Sequence, residues 1–456
     1  MKRVILLLIF ILAFLCLKTP VFASENNKFG IHISHLGDID KAAELVNSND
    51  GDWGYVTIVI QENDYDHDKW QNFFDQCREK HLIPLVRIAA EPIGETWKIP
   101  TIDSLTSWTD FLDSLNWPIK NRYVIIFNEP NQTKEWGNQT KPKEYSHILD
   151  QAIAIFKNKN ADFFILNAGF DQAAPNSNST MEEYKFLQQM NFEVPGIFNK
   201  LDGWASHSYP NHGYTGKPWE TGKASVKGYE WELLVLKNNF GLKKDLPVFI
   251  TETGWPRSGN SKLITSGYLE QAFTNVWLPD KRVAAVTPFI LNYPEKPFNN
   301  FSWFDSQGNP YPQYETIKQL LKVAGQPEQI KKIEIVSISF PSFIPANNTF
   351  IGKITLKNTG QSIWGEKLFR LLSLPSPISP TSLILPDKVI IKPDEKYSFD
   401  FKFSTPSTAG EYLLSWQGLP EYRVTVFEAW KLTNTSQTFF NRLVNRITNF
   451  WYNFLR

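Results

Sequence analysis

From Phe29 to about Ala324 the chain alternates short β-branched runs with amphipathic stretches, and this alternation restricts the fold more than any other feature. The strand-like runs are Phe29–Ile33, Tyr55–Ile60, Ile83–Ile88, Tyr123–Phe127, Phe163–Asn167, Gly203–His207, Val248–Thr251 and Val283–Ile290. Helical patterns lie between them, for instance Asp68–Lys80, Pro142–Lys157, Val226–Asn239 and Ser266–Leu278. Strands that run in parallel each need a crossover, usually a helix. Eight such units in roughly 300 residues predict an α/β fold closed into a (β/α)₈ barrel over 25–326. An open doubly wound sheet would carry a Gly-rich phosphate loop after an early strand, and no such loop occurs. In a barrel the carboxyl ends of all strands converge on one face, so polar residues placed there share one mouth.

Two glutamates occupy that position. Glu129 ends Arg122-Tyr-Val-Ile-Ile-Phe-Asn-Glu-Pro-Asn131, and Glu252 ends Leu246-Pro-Val-Phe-Ile-Thr-Glu before Thr-Gly-Trp-Pro256. A carboxylate at the end of a buried strand is costly unless something there uses it. Two on one face match the needs of retaining glycoside hydrolysis, with a protonated carboxyl for the leaving oxygen and an ionised one for the sugar carbon. Glu129, held at the rim by the Pro130 turn, is the expected acid/base, which requires a raised pKa. Glu252 is the expected nucleophile, kept ionised by donors such as Arg87, Tyr209 or His207. The alternative of salt-bridged strand-end residues stays open.

Asn128-Glu129-Pro130 on the fourth strand and Glu252 on the seventh resemble clan A of the glycoside hydrolases, and the resemblance covers roughly residues 29 to 324. It implies a barrel with the acid/base after strand four and the nucleophile after strand seven. Asn128 then presents its amide to a sugar 2-hydroxyl, and Tyr209, at the end of strand six, hydrogen-bonds the nucleophile. His207 is a substrate contact, a support behind the site or a structural histidine. The clan usually takes an arginine near the nucleophile from the second strand; here the second strand offers Thr57, which leaves Arg87 of the third strand without an assigned role. His32 is a further contact. Trp255 or Trp303 is the expected platform under the sugar, with Asn292 and Tyr293 on the same floor. The string Glu252-Thr-Gly-Trp-Pro256 also occurs in plant-type endo-β-1,3-glucanases, but it is too short to fix a substrate.

Beyond about Ala324-Gly-Gln-Pro327 the pattern changes to strand alternation without helices, as in Ile333–Phe340, Phe350–Lys357, Lys396–Phe403 and Gly410–Trp416. Residues 330–428 are expected to form a β-sandwich, similar in pattern to the immunoglobulin-like accessory modules of secreted bacterial proteins, with a spacer role favoured over adhesion. Residues 430–456 carry Lys431, Arg442, Arg446 and Arg456, no acidic residue, and apolar residues at helical spacing. That is an amphipathic basic helix able to lie on an anionic membrane or to dock on the protein. At the other end, Met1-Lys2-Arg3 and the apolar run Val4–Leu17 read as a signal peptide, 1–23, too short to span a bilayer. Its removal takes Cys16 away and leaves Cys77 as the one thiol, so no internal disulfide is expected.

Sixteen Trp and sixteen Tyr suggest rings for sugar faces as well as for packing, which is the favoured reading for any single ring. Basic and acidic residues balance at 47 each, which excludes a strong nucleic-acid signal. Seven histidines without paired spacing predict no metal and no cofactor, and no Gly-x-Ser-x-Gly turn points to a serine hydrolase. The expectation is a monomeric, secreted or envelope-associated glycosidase acting on a β-linked polysaccharide or oligosaccharide. A catalytically silent sugar-binding protein and an envelope transglycosylase are the alternatives.

Overall fold

The eight-fold alternation folds into a ring of parallel strands. The computed structural model describes residues 26–257, 262–365 and 369–428, together with Arg442, Val444 and Arg446. The strands are β1 (Gly30–His32), β2 (Gly54–Gln61), β3 (Leu82–Ala89), β4 (Arg122–Ile126), β5 (Phe163–Leu166), β6 (Trp204–Ser206), β7 (Val248–Ile250) and β8 (Val283–Val286). Every ladder between neighbours in β1–β5 and in β6–β8 is parallel. Parallel bridges Leu166–Gly203 and Phe29–Val286 join the two sets and close the ring.

Each strand is followed by a helix: α1 (Ile39–Val46), α2 (His67–Glu79), α3 (Ile102–Ser114), α4 (Pro142–Lys159), α5 (Glu183–Glu193), α6 (Gly228–Asn239), α7 (Lys262–Ala272) and α8 (Pro312–Gln319). Local signals set several of their starts. Thr101 caps α3 in a reciprocal box with Ser104, Asp66 accepts from Lys69 N at the head of α2, and Pro142 opens α4. The stretch expected over Ser266–Leu278 is α7 continued by a π turn, Phe273–Trp277. The eighth strand was expected to reach Ile290 but stops at Val286, after which Thr287 N donates to Ile250 O and Phe289 N to Thr253 O in the irregular continuation.

Inside the ring, Tyr55, Tyr123, Phe164 and Phe249 form an aromatic layer near the amino ends of β2, β4, β5 and β7, with centroid separations from 4.8 to 6.3 Å. This layer fills one end of the barrel as a packed core, so polar groups are admitted only toward the carboxyl ends. Cys77 is buried on α2, where burial pushes its thiol up.

The described residues form two units, one running up to Leu115 and again from Asn121 to Pro327, the other over Asn116–Lys120 and from Glu328 onward. The second unit contains two three-stranded sheets. One is antiparallel, made of β9 (Ile333–Ser339), β11 (Thr349–Asn358) and β12 (Lys396–Ser404), with β11 central. The other sets β14 (Tyr422–Phe427) between β10 (Phe343–Pro345) and β13 (Gly410–Leu414). The strict alternation of buried and half-buried residues along β11 supplies the core, with Trp416 packed edge-on to Phe401 at 4.8 Å. The expected signal segment 1–23 lies outside the described residues, as does the tail 430–456 apart from Arg442, Val444 and Arg446. Among the described residues no helix is long and apolar enough to cross a membrane.

Candidate active site

The end of β4 is held in a conformation that ordinary residues avoid. Phe127 and Glu129 both have positive φ, +68° and +29°, and such positions cost of order 1–3 kcal/mol each unless their surroundings over-determine them. The surroundings here do so. The Phe127 ring is packed edge-on against Trp108 and Trp136 at 5.5 and 5.7 Å. Glu129 N donates to Gly169 O at 3.0 Å, and Gln132 N donates to Glu129 O at 2.8 Å. Asn131, fully buried, donates through its amide to Asp171 O and Met181 O. The turn that begins at Pro130 is therefore fixed on several sides, and the Glu129 side chain is fixed with it.

Glu129 and Glu252 come together across the mouth. Together with His207 they offer one ligand-type atom each, and these atoms all lie within 4.8 Å of one another. His207 Nδ1 is 2.9 Å from Glu129 Oε1 and 3.8 Å from Glu252 Oε2, so the imidazole bridges the pair. Its ring fills the space where a Cβ on Gly169 would stand, 2.1 Å from His207 Cδ2, so a side chain at 169 would expel it. Gln132 Nε2 donates to Glu129 Oε2 at 2.6 Å and to Asp171 Oδ2 at 3.1 Å.

Glu252 has a different set of partners. Arg87 donates to its Oε1 at 3.2 Å, and Tyr209 donates its hydroxyl to Oε2 at 3.1 Å. Arg87 also donates to Asn128 Oδ1. His32 Nδ1 stands 4.0 Å from Glu252 Oε1, its ring edge-on to Phe289. Burial holds His32 down to about 3, so it is a neutral imidazole there.

These surroundings push the two carboxyls in opposite directions. Burial lifts Glu129 to about 7, although its hydrogen bond with His207 works the other way. Burial also acts to raise Glu252, but His207, Arg87 and the Tyr209 hydroxyl outweigh it and hold the carboxyl below the ordinary range. Burial would lower His207, yet the Glu252 and Glu129 carboxylates raise it overall. A carboxylic acid and a carboxylate thus sit side by side at neutral pH. The same three ligand-type groups could converge on a cation; their spacing along the chain hides this because they come from three strands. The Arg87 guanidinium already compensates the Glu252 charge, which disfavours a divalent ion at that oxygen.

Several expected contacts are placed otherwise. Trp255 and Trp303 are 5% and 2% exposed and offer no face to a sugar, and the Trp255 indole N–H donates to Gly216 O at 2.7 Å. Both loops fold their tryptophan inward as packing. Asn292 gives its amide to Asp38 Oδ1 at 3.2 Å. Tyr293 packs edge-on to Phe298 at 5.7 Å. A ring that reaches the mouth is Tyr214, 39% exposed, edge-on to Tyr209 at 5.2 Å and to Phe301 at 5.1 Å. Burial raises its hydroxyl, with Glu129, Asp171 and Glu252 adding to the effect. Neither Tyr214 nor Gln132 was anticipated. Gln132 had a usable signal, three residues past Glu129 in a tight turn; Tyr214 lies in a loop without periodicity.

No family model matches the chain, and no curated protein matches it. Solved structures do resemble it. One is a family 39 glycoside hydrolase from Bacteroides cellulosilyticus WH2, at 15% identity over 83% of this chain and 81% of that chain, with a TM-score of 0.47. A glucosidase from Croceicoccus marinus is 10% identical over 84% of this chain and 98% of that one, with a TM-score of 0.46. AbfB, a family 51 α-L-arabinofuranosidase from Bifidobacterium longum, is 11% identical over 84% and 97%, with a TM-score of 0.43. Scores and identities this low leave the chemistry of the site to be decided by its own geometry.

Proposed function

We propose that the protein is a retaining glycoside hydrolase that cleaves β-linked O-glycosidic bonds in a polysaccharide or oligosaccharide. One observation carries the reading: oxygens of Glu129 and Glu252 approach within 4.8 Å while their surroundings favour opposite protonation states. Retaining enzymes keep their two carboxyls about 5–5.5 Å apart, whereas inverting ones need about 6.5–9.5 Å to admit a water.

In the first step Glu129 gives its proton to the glycosidic oxygen as the bond to the anomeric carbon breaks. Glu252 attacks that carbon from the opposite face and forms a glycosyl ester. In the second step Glu129, now ionised, takes a proton from water, and the hydroxide oxygen displaces Glu252. Arg87 and the Tyr209 hydroxyl orient the nucleophile, and Gln132 and His207 orient the acid/base. Tyr214 supplies the exposed ring on which the sugar face rests. The Asn128 amide nitrogen serves a sugar 2-hydroxyl, its oxygen being held by Arg87.

We read the protein as exported, on the support of the basic start and apolar run within the first 23 residues. We read the second unit as an immunoglobulin-like spacer, on the support of its two stacked three-stranded sheets, and the basic tail as a peripheral membrane contact. The test is stereochemical. Purified protein is screened on β-glucans, mannans, xylans and galactans, and the first product is followed by proton NMR. Retained configuration is expected; initial inversion removes Glu252 as nucleophile, and longer oligosaccharide products in place of hydrolysis indicate transglycosylation.

A further inference from the structure

One sheet of the second unit keeps an outer face that the described residues leave uncovered, and the chain enters its tail from the central strand of that sheet. Along β14, Val424 and Val426 point into the core, so Arg423, Thr425 and Phe427 lie on the outer side. The register sets Phe343 of β10 beside Thr425, and Leu413 of β13 beside Arg423. The bridge Ser373–Trp416 adds residues 370–374 to this sheet, and the ladder of Arg370–Leu371 with Leu383–Ile384 adds one more strand. Trp416 and Leu383 are buried in the core, so alternation turns Leu372, Leu374 and Ile384 outward.

Phe343 is 67% exposed, and Leu372, Leu374, Ile384 and Leu413 are 40–44% exposed. Scattered apolar residues on a surface are ordinary, but five on one face of a small sheet form a patch of the kind that a partner covers. Five strands at a spacing of about 4.8 Å make the face about 19 Å wide. The Arg423–Glu411 ion pair on the same face, at 2.8 Å, carries no net charge to repel a basic segment.

The chain itself supplies an occupant of that size. Phe440, Leu443, Val444, Ile447, Trp451 and Phe454 recur at helical spacing. As a helix, the stripe from 440 to 454 is about 21 Å long. Residues 428–439 separate it from β14 and extend to about 40 Å, enough to reach any strand of the face. Arg442, Val444 and Arg446 are helical; the two arginines, about one turn apart, are exposed, and Val444 between them is half-buried. Exposure thus divides along the line that the sequence pattern sets. So short a tether holds the stripe beside the face at an effective concentration of the order of millimolar, which a second copy would have to match.

We propose that the apolar side of residues 440–454 docks as a helix across this outer face when the protein is free in solution. The docked tail shields the patch, and contact with a membrane requires its release, because one apolar side serves both. The docking itself rests on neither the hydrolase reading nor the membrane reading.

Photocrosslinking tests the contact directly. p-Benzoylphenylalanine replaces Leu374 or Leu413, and an equal mixture of ordinary and nitrogen-15-labelled protein is irradiated. Crosslinks to peptides within 438–456, both halves carrying the same isotope, are expected. Crosslinks that join the two isotopes place a second copy on the face and overturn the proposal, as does the lack of any crosslink to the tail. Trypsin cleavage after Arg442 and Arg446 provides the second measurement, since a docked helix must come away before it is cut. Leu374→Glu and Leu413→Glu should each speed that cleavage at least about tenfold. Val336→Glu, at an exposed position of the other sheet, should leave the parent rate unchanged. Equal rates in all four proteins, or the same acceleration from Val336→Glu, overturn the docking.

Discussion

Two pairs of buried glutamates flank β6, and their contrast separates a working site from a structural one. Glu129 and Glu252 lie at the mouth with 13% and 12% of their side chains exposed, and each has its own retinue. Glu183, at the head of α5, and Glu232, on α6, are 0% exposed. Ser206 donates to Glu232 Oε2, and Lys223 lies 3.8 Å from Glu183 Oε2. Burial raises both members of this second pair; Glu232 pushes Glu183 further, while its bond with Glu183 only moderates the rise of Glu232. Glu183 Oε1 and Oε2 and Glu232 Oε1 accept no hydrogen bond there, which favours the protonated form within the pair. Burial alone thus makes a carboxyl acidic only at high pH. What turns a pair of acids into an acid and a nucleophile is an asymmetric set of partners, here Arg87 and the Tyr209 hydroxyl on Glu252, with His207 shared between the two carboxyls.

The strongest test of that asymmetry is removal of the nucleophile. Glu252→Ala should lower kcat by at least about 10⁴-fold. Added azide should restore turnover as a glycosyl azide of inverted configuration, because the anion enters where Glu252 stood. Glu129→Gln should cost about 10²–10⁴-fold on substrates with poor leaving groups, and azide added to Glu129→Ala should give the retained configuration. An exchange of the two azide outcomes would reverse the roles assigned here.

A smaller effect is expected on pH dependence. Glu129 must carry its proton, so kcat/KM should fall as pH rises through about 7. Glu252 must be ionised, so the acid limb should lie below the ordinary carboxylate range. Arg87→Met should move the acid limb upward and lower kcat by about 10–10²-fold; an unmoved limb would show that His207 suffices.

The mildest change is expected at the second pair. A carboxyl whose folded pKa is raised contributes stability fully present below its unfolded value of about 4.3 and lost as pH rises through the folded value. Glu183→Gln should therefore gain Tm relative to the parent as pH rises, with activity retained within about threefold. A constant Tm difference from pH 5 to 9 would mean that the pair does not exchange its proton on unfolding.

Legibility from sequence follows the range of the interactions involved. The barrel was readable because a strand buried on both faces must be a short apolar run, and its crossover must be amphipathic. β2, β3 and β7 match their runs to within a residue at each end. The meeting of Tyr209 with Glu252 was anticipated through resemblance, whereas the reach of Arg87 from β3 was left open. Trp255 was expected at the mouth because it follows Glu252 closely in sequence, and Trp303 because it lies in the loop after the eighth strand. A loop can turn a side chain into the core within a few residues, and both tryptophans are packed there.

Sequence by itself determined the repeating unit, the end of the strands where Glu129 and Glu252 fall, and the change to an all-β second unit, since each is carried by periodicities of a few residues. Only the tertiary structure decided which groups surround each carboxyl, which aromatic ring faces solvent, and that Glu183 and Glu232 form a second pair. Those outcomes depend on distances between side chains far apart in the chain, such as Arg87 and Glu252, 165 positions from each other. The energy that splits one carboxyl from the other is electrostatic and falls off over a few ångströms, a scale that closure of the ring sets and local pattern does not.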